Sequence, residues 1–218
     1  ISDAVKEIIE KARKEESTTL NLREQGLTEI PEEVFTLKKL EYLNLTANQF
    51  TSIPENALKL SHIKSIDWDS NPLEEIRDVP GLGLDFNQFQ KFKDKISWEN
   101  VTGLTINLSK VIETSLLFAF WEKDFSNMKN LKALQISNGD IEIQKLTLPK
   151  SFEDLRLFKL NLRDISFLKE LKELKELKEL YLWENQIEDI TPLENLEKLE
   201  KLDLSTNKIQ SIQALLKL

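Results

Sequence analysis

Apolar residues recur in one fixed phrase, Leu-x-x-Leu-x-Leu-x-x-Asn-x-Leu-x-x-Ile, in clear form at Leu40–Ile53, Ile63–Ile76, Leu177–Ile190 and Leu199–Ile212. Within it the Leu-x-Leu pair alternates, so it predicts a short strand with both leucines on one side. A phrase returning every 20–30 residues predicts stacked coils that share one interior. Leu20, Leu22, Leu27 and Ile30 start the series, with Gln25 at the asparagine position; Leu20 to Leu43 and Leu43 to Ile66 are each 23 residues. Ahead of them Val5, Ile8, Ile9 and Ala12 recur at three and four residues, which predicts an amphipathic helix over 1–16. Ser2 caps it and Asp3 sits at its positive end. Such a helix covers the open apolar face of the first coil, and residues 17–218 form the repeat body.

The asparagine has a physical task. Where the chain turns away from each strand, its amide bonds backbone groups that the stack would otherwise bury unpaired. The expected ladder is Asn48, Asn71, Asn185 and Asn207. These coils resemble leucine-rich repeats. The 23-residue Ile-Pro-Glu coils are similar to the bacterial and plant type, and the later coils to the 22-residue class of internalins and of the leucine-rich regulatory subunit of protein phosphatase 1. That resemblance implies an α/β right-handed solenoid, a horseshoe of about eight or nine coils with a parallel concave sheet and an N-terminal capping helix. It implies a non-catalytic protein–protein interaction scaffold that binds a protein partner on the concave face. Two alternatives come with it: the targeting repeat region of a larger multidomain enzyme, and a secreted or surface internalin-like adhesin.

The stretch 77–130 is irregular. Val79–Phe92 fits the phrase, yet Leu82 follows Ile66 by only 16 residues, which reads as a compressed coil or an insertion. Leu116, Leu117, Phe118, Phe120 and Trp121 are expected on a longer convex helix. Near the end, Lys169–Leu180 repeats Lys-Glu-Leu four times, one triplet beyond the 22-residue template. One extra turn of 3₁₀-helix absorbs three residues and leaves the strands in register. The last apolar positions, Leu215 and Leu218, have no following strand, which implies a fragment of a longer repeat protein or self-association through an uncapped C-terminal edge.

Composition narrows the chemistry. A net charge of −8 argues against a nucleic-acid or anionic-membrane binder. No run reaches the eighteen apolar residues of a membrane span. The chain has no cysteine, hence no disulfide, cysteine-bound zinc or thiol nucleophile. That fits a reducing, cytoplasmic setting, with a secreted or surface-attached protein as the alternative where a leader has been removed. His62 is the sole histidine, and no Gly-x-Ser-x-Gly, Gly-x-Gly-x-x-Gly or Walker-type loop exists. The reading implies no catalytic residue, no metal and no cofactor. Asp67-x-Asp69-x-Asn71 imitates the start of a calcium loop, but Pro72 and Asp78 occupy its required glycine and glutamate positions. Asp67 and Asp69 remain candidates for an acidic contact with a basic partner. Sequons at Asn44, Asn100 and Asn107 arise by chance from the repeat phrase.

The leading site candidates come from register. Residues beside the strand leucines face solvent in two columns. One reads Asn21, Asn44, Asp67, Thr105, Gln135, Arg156, Tyr181, Asp203; the other reads Arg23, Thr46, Asp69, Asn107, Ser137, Phe158, Trp183, Ser205. Most are small or polar. Arg156, Phe158, Tyr181 and Trp183 break that pattern in consecutive coils. Adjacent strands lie about 4.8 Å apart, so these four side chains cluster, and their types are those enriched at binding hot spots. The competing expectation is an aromatic stack that only stabilises the sheet.

Overall fold

A computed structural model describes residues 1–109, 128–143, 145–194 and 196–218. The apolar block at Leu116–Trp121 lies outside the described residues. The chain divides into two compact units, Ile1–Ile106 and Asn107–Leu218.

In the first unit, helix α1 (Asp3–Lys14) begins where Ser2 Oγ accepts the Val5 amide at 3.3 Å. It buries Val5, Ile9 and Ala12, while Ile8 is half-buried at the edge of the stripe. Five strands follow in chain order: β1 (Thr19–Asn21), β2 (Tyr42–Asn44), β3 (Ser65–Asp67), β4 (Gly81–Asp85) and β5 (Gly103–Asn107). The first three pair in parallel, with Leu20, Leu43 and Ile66 aligned. Each of the first two coils closes through a 3₁₀ turn after Ile-Pro, Glu32–Thr36 and Glu55–Lys59. There Pro31 and Pro54 fix an extended backbone ahead of the turn.

The short step is a strand-to-strand step. β4 pairs with β3 through Ile66↔Leu82 and Asp67↔Gly83. The turn after β4 differs from the repeat phrase. The phrase places Asn87 on the ladder, yet residues Phe86–Phe92 form helix α2 with an Asp85/Gln88 capping box. Asn87 faces solvent. Gln88 Nε2 instead donates to the Trp68 and Asn71 carbonyls at 3.1 and 3.3 Å. A longer amide reaching from one residue further on does the ladder's work.

The second unit holds β6 (Ala133–Ser137), β7 (Asp154–Phe158), β8 (Glu179–Tyr181) and β9 (Lys201–Asp203), again parallel and in chain order. Leu134, Leu155, Leu180 and Leu202 are aligned. The Lys-Glu-Leu surplus lies largely in a 3₁₀ segment of eight residues, Ser166–Glu173, against three in the next coil, Thr191–Leu193. Strand register survives the insertion.

The ladder is present in both units. Asn48 Oδ1 accepts the Gln25 and Leu27 amides, and its Nδ2 donates to the Leu22 and Leu45 carbonyls. Asn71 bonds Phe50, Leu45 and Trp68 in the same way. Asn185 serves Leu160, Leu162, Leu157 and Leu182; Asn207 serves Ile187, Leu182 and Leu204. The residue just before each asparagine has left-handed backbone: Ala47, Ser70, Glu184 and Thr206 at φ 51–59°. For a residue with a Cβ that conformation costs about 1–2 kcal/mol, and the amide bonds on either side hold it.

Candidate functional site

Strand alternation sends Leu155 and Leu157 inward and Asp154, Arg156 and Phe158 to the opposite side. The neighbouring strand brings Glu179, Tyr181 and Trp183 alongside them, in the register Asp154↔Glu179 and Arg156↔Tyr181. The four candidates of this unit therefore meet, as two couples.

The Phe158 and Trp183 rings stack, with centroids 4.2 Å apart and planes 12° from parallel. Lys159 Nζ lies 5.2 Å from the Trp183 centroid and pairs with Glu184 at 3.4 Å. The Arg156 guanidinium lies over the Tyr181 ring at 4.4 Å. Its Nε donates to both Asp154 oxygens at 2.9 and 3.1 Å, and its Nη2 donates to Asp154 Oδ2 at 2.8 Å. Glu179 ties the couple together. It accepts from Arg156 at 3.4 Å, from the Tyr181 hydroxyl at 3.0 Å and from Lys201 at 2.8 Å. Burial, the hydrogen bond to Glu179 and that carboxylate's charge raise the Tyr181 phenol above its ordinary value. All four candidates are half-buried. The result is a preorganised aromatic and cationic surface whose rotamers are held by neighbours.

Asp154, Glu179 and Lys201 were not among the sequence candidates. They form a third column on the same side of the strands, two residues ahead of the first, with Asp154 buried. The same alternation that yields two columns yields this one, so the signal was present. Charge at three successive coils of that column marks it: Asp154, Glu179, Lys201.

Asp67 and Asp69 belong to the first unit and face a different environment. Asp69 is buried, 8% exposed, and accepts from Ser70 Oγ at 2.8 Å. Asp67 is half-buried, and its Oδ1 accepts from Ser65 Oγ at 3.0 Å. Ser65 Oγ also bonds Thr105 Oγ1 at 2.8 Å. Ser65 carries one hydroxyl proton, so when it donates to Asp67 the donor to Ser65 is Thr105. Burial pushes the Asp67 carboxyl up to about 6; the Ser65 bond lowers it and the Asp69 charge raises it further.

Among the described residues, no group of three or more His, Asp or Glu is arranged to hold a metal ion. No helix among them is long and apolar enough to cross a membrane. The family model described as "Leucine rich repeat" matches residues 18–73, and that described as "Leucine Rich repeats (2 copies)" matches residues 175–217. The chain is a leucine-rich repeat protein. Comparison with curated proteins finds no match. Similar solved structures include internalin C2 of Listeria monocytogenes, 23% identical over 93% of each chain with a TM-score of 0.46. A leucine-rich repeat protein of Leptospira interrogans is 22% identical over 95% of this chain, TM-score 0.45, and this chain spans 60% of it. Human 5T4 (Trophoblast glycoprotein) is 19% identical over 88% of this chain and 70% of its own, TM-score 0.42. Leucine-rich repeats are typically protein-interaction scaffolds and generally not catalysts.

Proposed function

We propose that this chain is a non-catalytic recognition module that holds a protein partner on the solvent-facing side of β6–β9. The observation that carries the proposal is the fixed Phe158/Trp183 stack beside the Arg156/Tyr181 couple. Rings locked before binding lose little further entropy when a partner packs on them. Arg, Tyr and Trp are also the side chains that dominate interface energetics. Asp67 and Asp69 are proposed as a lesser acidic contact for a basic partner, limited by the small surface Asp69 exposes.

The test is an affinity pull-down with wild type beside the Phe158→Ala/Trp183→Ala double variant. Each anchor is expected to contribute ~2 kcal/mol or more, so the captured partner should disappear from the variant. Far-ultraviolet circular dichroism should stay unchanged. If the pair were only a cross-strand stack, worth roughly 0.2–1 kcal/mol, capture would persist while the unfolding midpoint fell.

A further inference from the structure

Three of the chain's five glycines, Gly81, Gly83 and Gly103, alternate with the core leucines of β4 and β5 and are themselves buried. Each is there because another backbone segment comes too close for a side chain. A Cβ on Gly81 would lie 2.8 Å from Ser65 N and 2.9 Å from the Lys64 carbonyl carbon. One on Gly83 would lie 2.7 Å from the Ile66 carbonyl oxygen and would strike Asp67 Oδ1. One on Gly103 would run into the Lys64 carbonyl oxygen, although Lys64 enters a strand two places away. The sheet is thus creased along β4, and β3 meets β5 across it through Ser65 and Thr105. All five β4 residues are buried. Asp67 points its carboxylate into this crease.

We propose that the β3–β4–β5 crease is a proton-sensitive joint, tight when Asp67 is neutral and loosened when it is ionised. The surroundings offer the carboxylate little compensation. On its own strand Ser65 donates one hydrogen bond, and Asp69, two residues past the end of β3, adds a like charge. β2 presents Asn44 in register, whose Oδ1 accepts the Thr46 amide. β4 presents Gly83, and its Asp85 caps α2. β5 presents Thr105, bonded to Ser65. Lys64, at the entry to β3, pairs with Glu41 at 3.2 Å. Desolvation and one like charge therefore outweigh one hydroxyl, and the midpoint stands near 6.

The sign follows from linkage. Between the ordinary carboxylate range and pH 6 the folded crease binds more protons than the opened one, so its stability falls as pH rises through that window and is level above it. Between pH 5 and pH 7.5 the closed-to-open ratio should drop about tenfold. Hydrogen exchange at the Trp68 amide, which donates to the Gly83 carbonyl at 2.8 Å, reads that ratio after correction for intrinsic rate. The experiment uses the full chain, with carbon-13 NMR following the Asp67 carboxyl.

The expected results are a carboxyl midpoint near 6 and a tenfold loss of Trp68 protection from pH 5 to pH 7.5. Asp67→Asn should abolish the loss and hold protection near the pH 5 level. Asp69→Asn should move the midpoint down and Ser65→Ala should move it up, shifts that a merely structural role would not produce. A midpoint near 4, flat Trp68 protection in wild type, or an equal loss in Asp67→Asn would each overturn the proposal. If Asp67→Asn does not fold, the wild-type titration and the direction of the Asp69→Asn shift decide.

Discussion

Asn185→Leu is expected to destabilise the second unit by roughly 3–9 kcal/mol, since three buried backbone groups lose their partners at about 1–3 kcal/mol each. Asn185 Oδ1 accepts the Leu160 amide at 3.1 Å and the Leu162 amide at 3.2 Å. Its Nδ2 donates to the Leu157 carbonyl at 2.7 Å and the Leu182 carbonyl at 2.8 Å. Leu182 has a second donor, Asn207 at 2.9 Å, and keeps one bond. Leu160 N, Leu162 N and Leu157 O are the groups left bare. Leucine already stands at the ladder position of the preceding coil, as Leu160, and is fully buried there. That coil tolerates it because Asn185 reaches back to its amide. Two leucines in succession remove the donor and acceptor together, so the cost is cooperative. Since folded domains are stable by only about 5–15 kcal/mol in total, the loss should be visible as a large fall in the urea midpoint. Asn207→Leu should cost less, because Asn207 is only half-buried. Equal midpoints for the two variants would refute this account of the ladder.

The repeat architecture was legible because it rests on residues that repeat. Leu20, Leu43 and Ile66 share one sequence position and one place in the sheet, and Asn48 and Asn185 do the same job in different units. The meeting of Phe158 with Trp183 followed from the same periodicity. What stayed hidden depends on pairs that no period links. The exchange of Asn87 for Gln88 required knowing that β4 ends in an Asp85 cap, which turns the chain into a helix instead of the usual bend. Asp67 read as an exposed acidic residue because its neighbours in the columns, Asn44 and Thr105, gave no hint of enclosure. Its environment is set by Gly83, only 16 residues on, in the coil whose length departs from the rule. The glycines themselves were informative only for what they excluded, a phosphate-binding loop. Their gathering on β4 and β5 becomes visible when Lys64 and Gly103, 39 residues apart, are seen to touch.

That contact supports the second large effect. Gly103→Ala is expected to destabilise the first unit by about 3 kcal/mol or more, at or beyond the upper end of ordinary overpacking. Added side chains are usually accommodated when the atom they meet is the tip of a flexible neighbour. Here the obstacle is backbone: the Lys64 carbonyl oxygen, with its carbon at 3.2 Å and the Lys64 Cα at 3.7 Å from the new Cβ. Lys64 cannot retreat freely, because its amide and that of Ser65 both bond the Glu41 carbonyl, at 2.8 and 3.2 Å. Nor can Gly103, whose amide bonds the Pro80 carbonyl at 2.7 Å. Relief must come from breaking one of these bonds or from opening β5 away from β3, which also parts Thr105 from Ser65. Gly26→Ala separates steric cost from conformational cost. Gly26 has φ +66° and nothing within 4 Å of an added Cβ, so its penalty is the left-handed backbone alone, about 1–2 kcal/mol. Urea unfolding of the two variants should therefore place Gly103→Ala well below Gly26→Ala. If Gly103→Ala were the milder change, β3 and β5 would not be in contact, and the crease that encloses Asp67 would not exist.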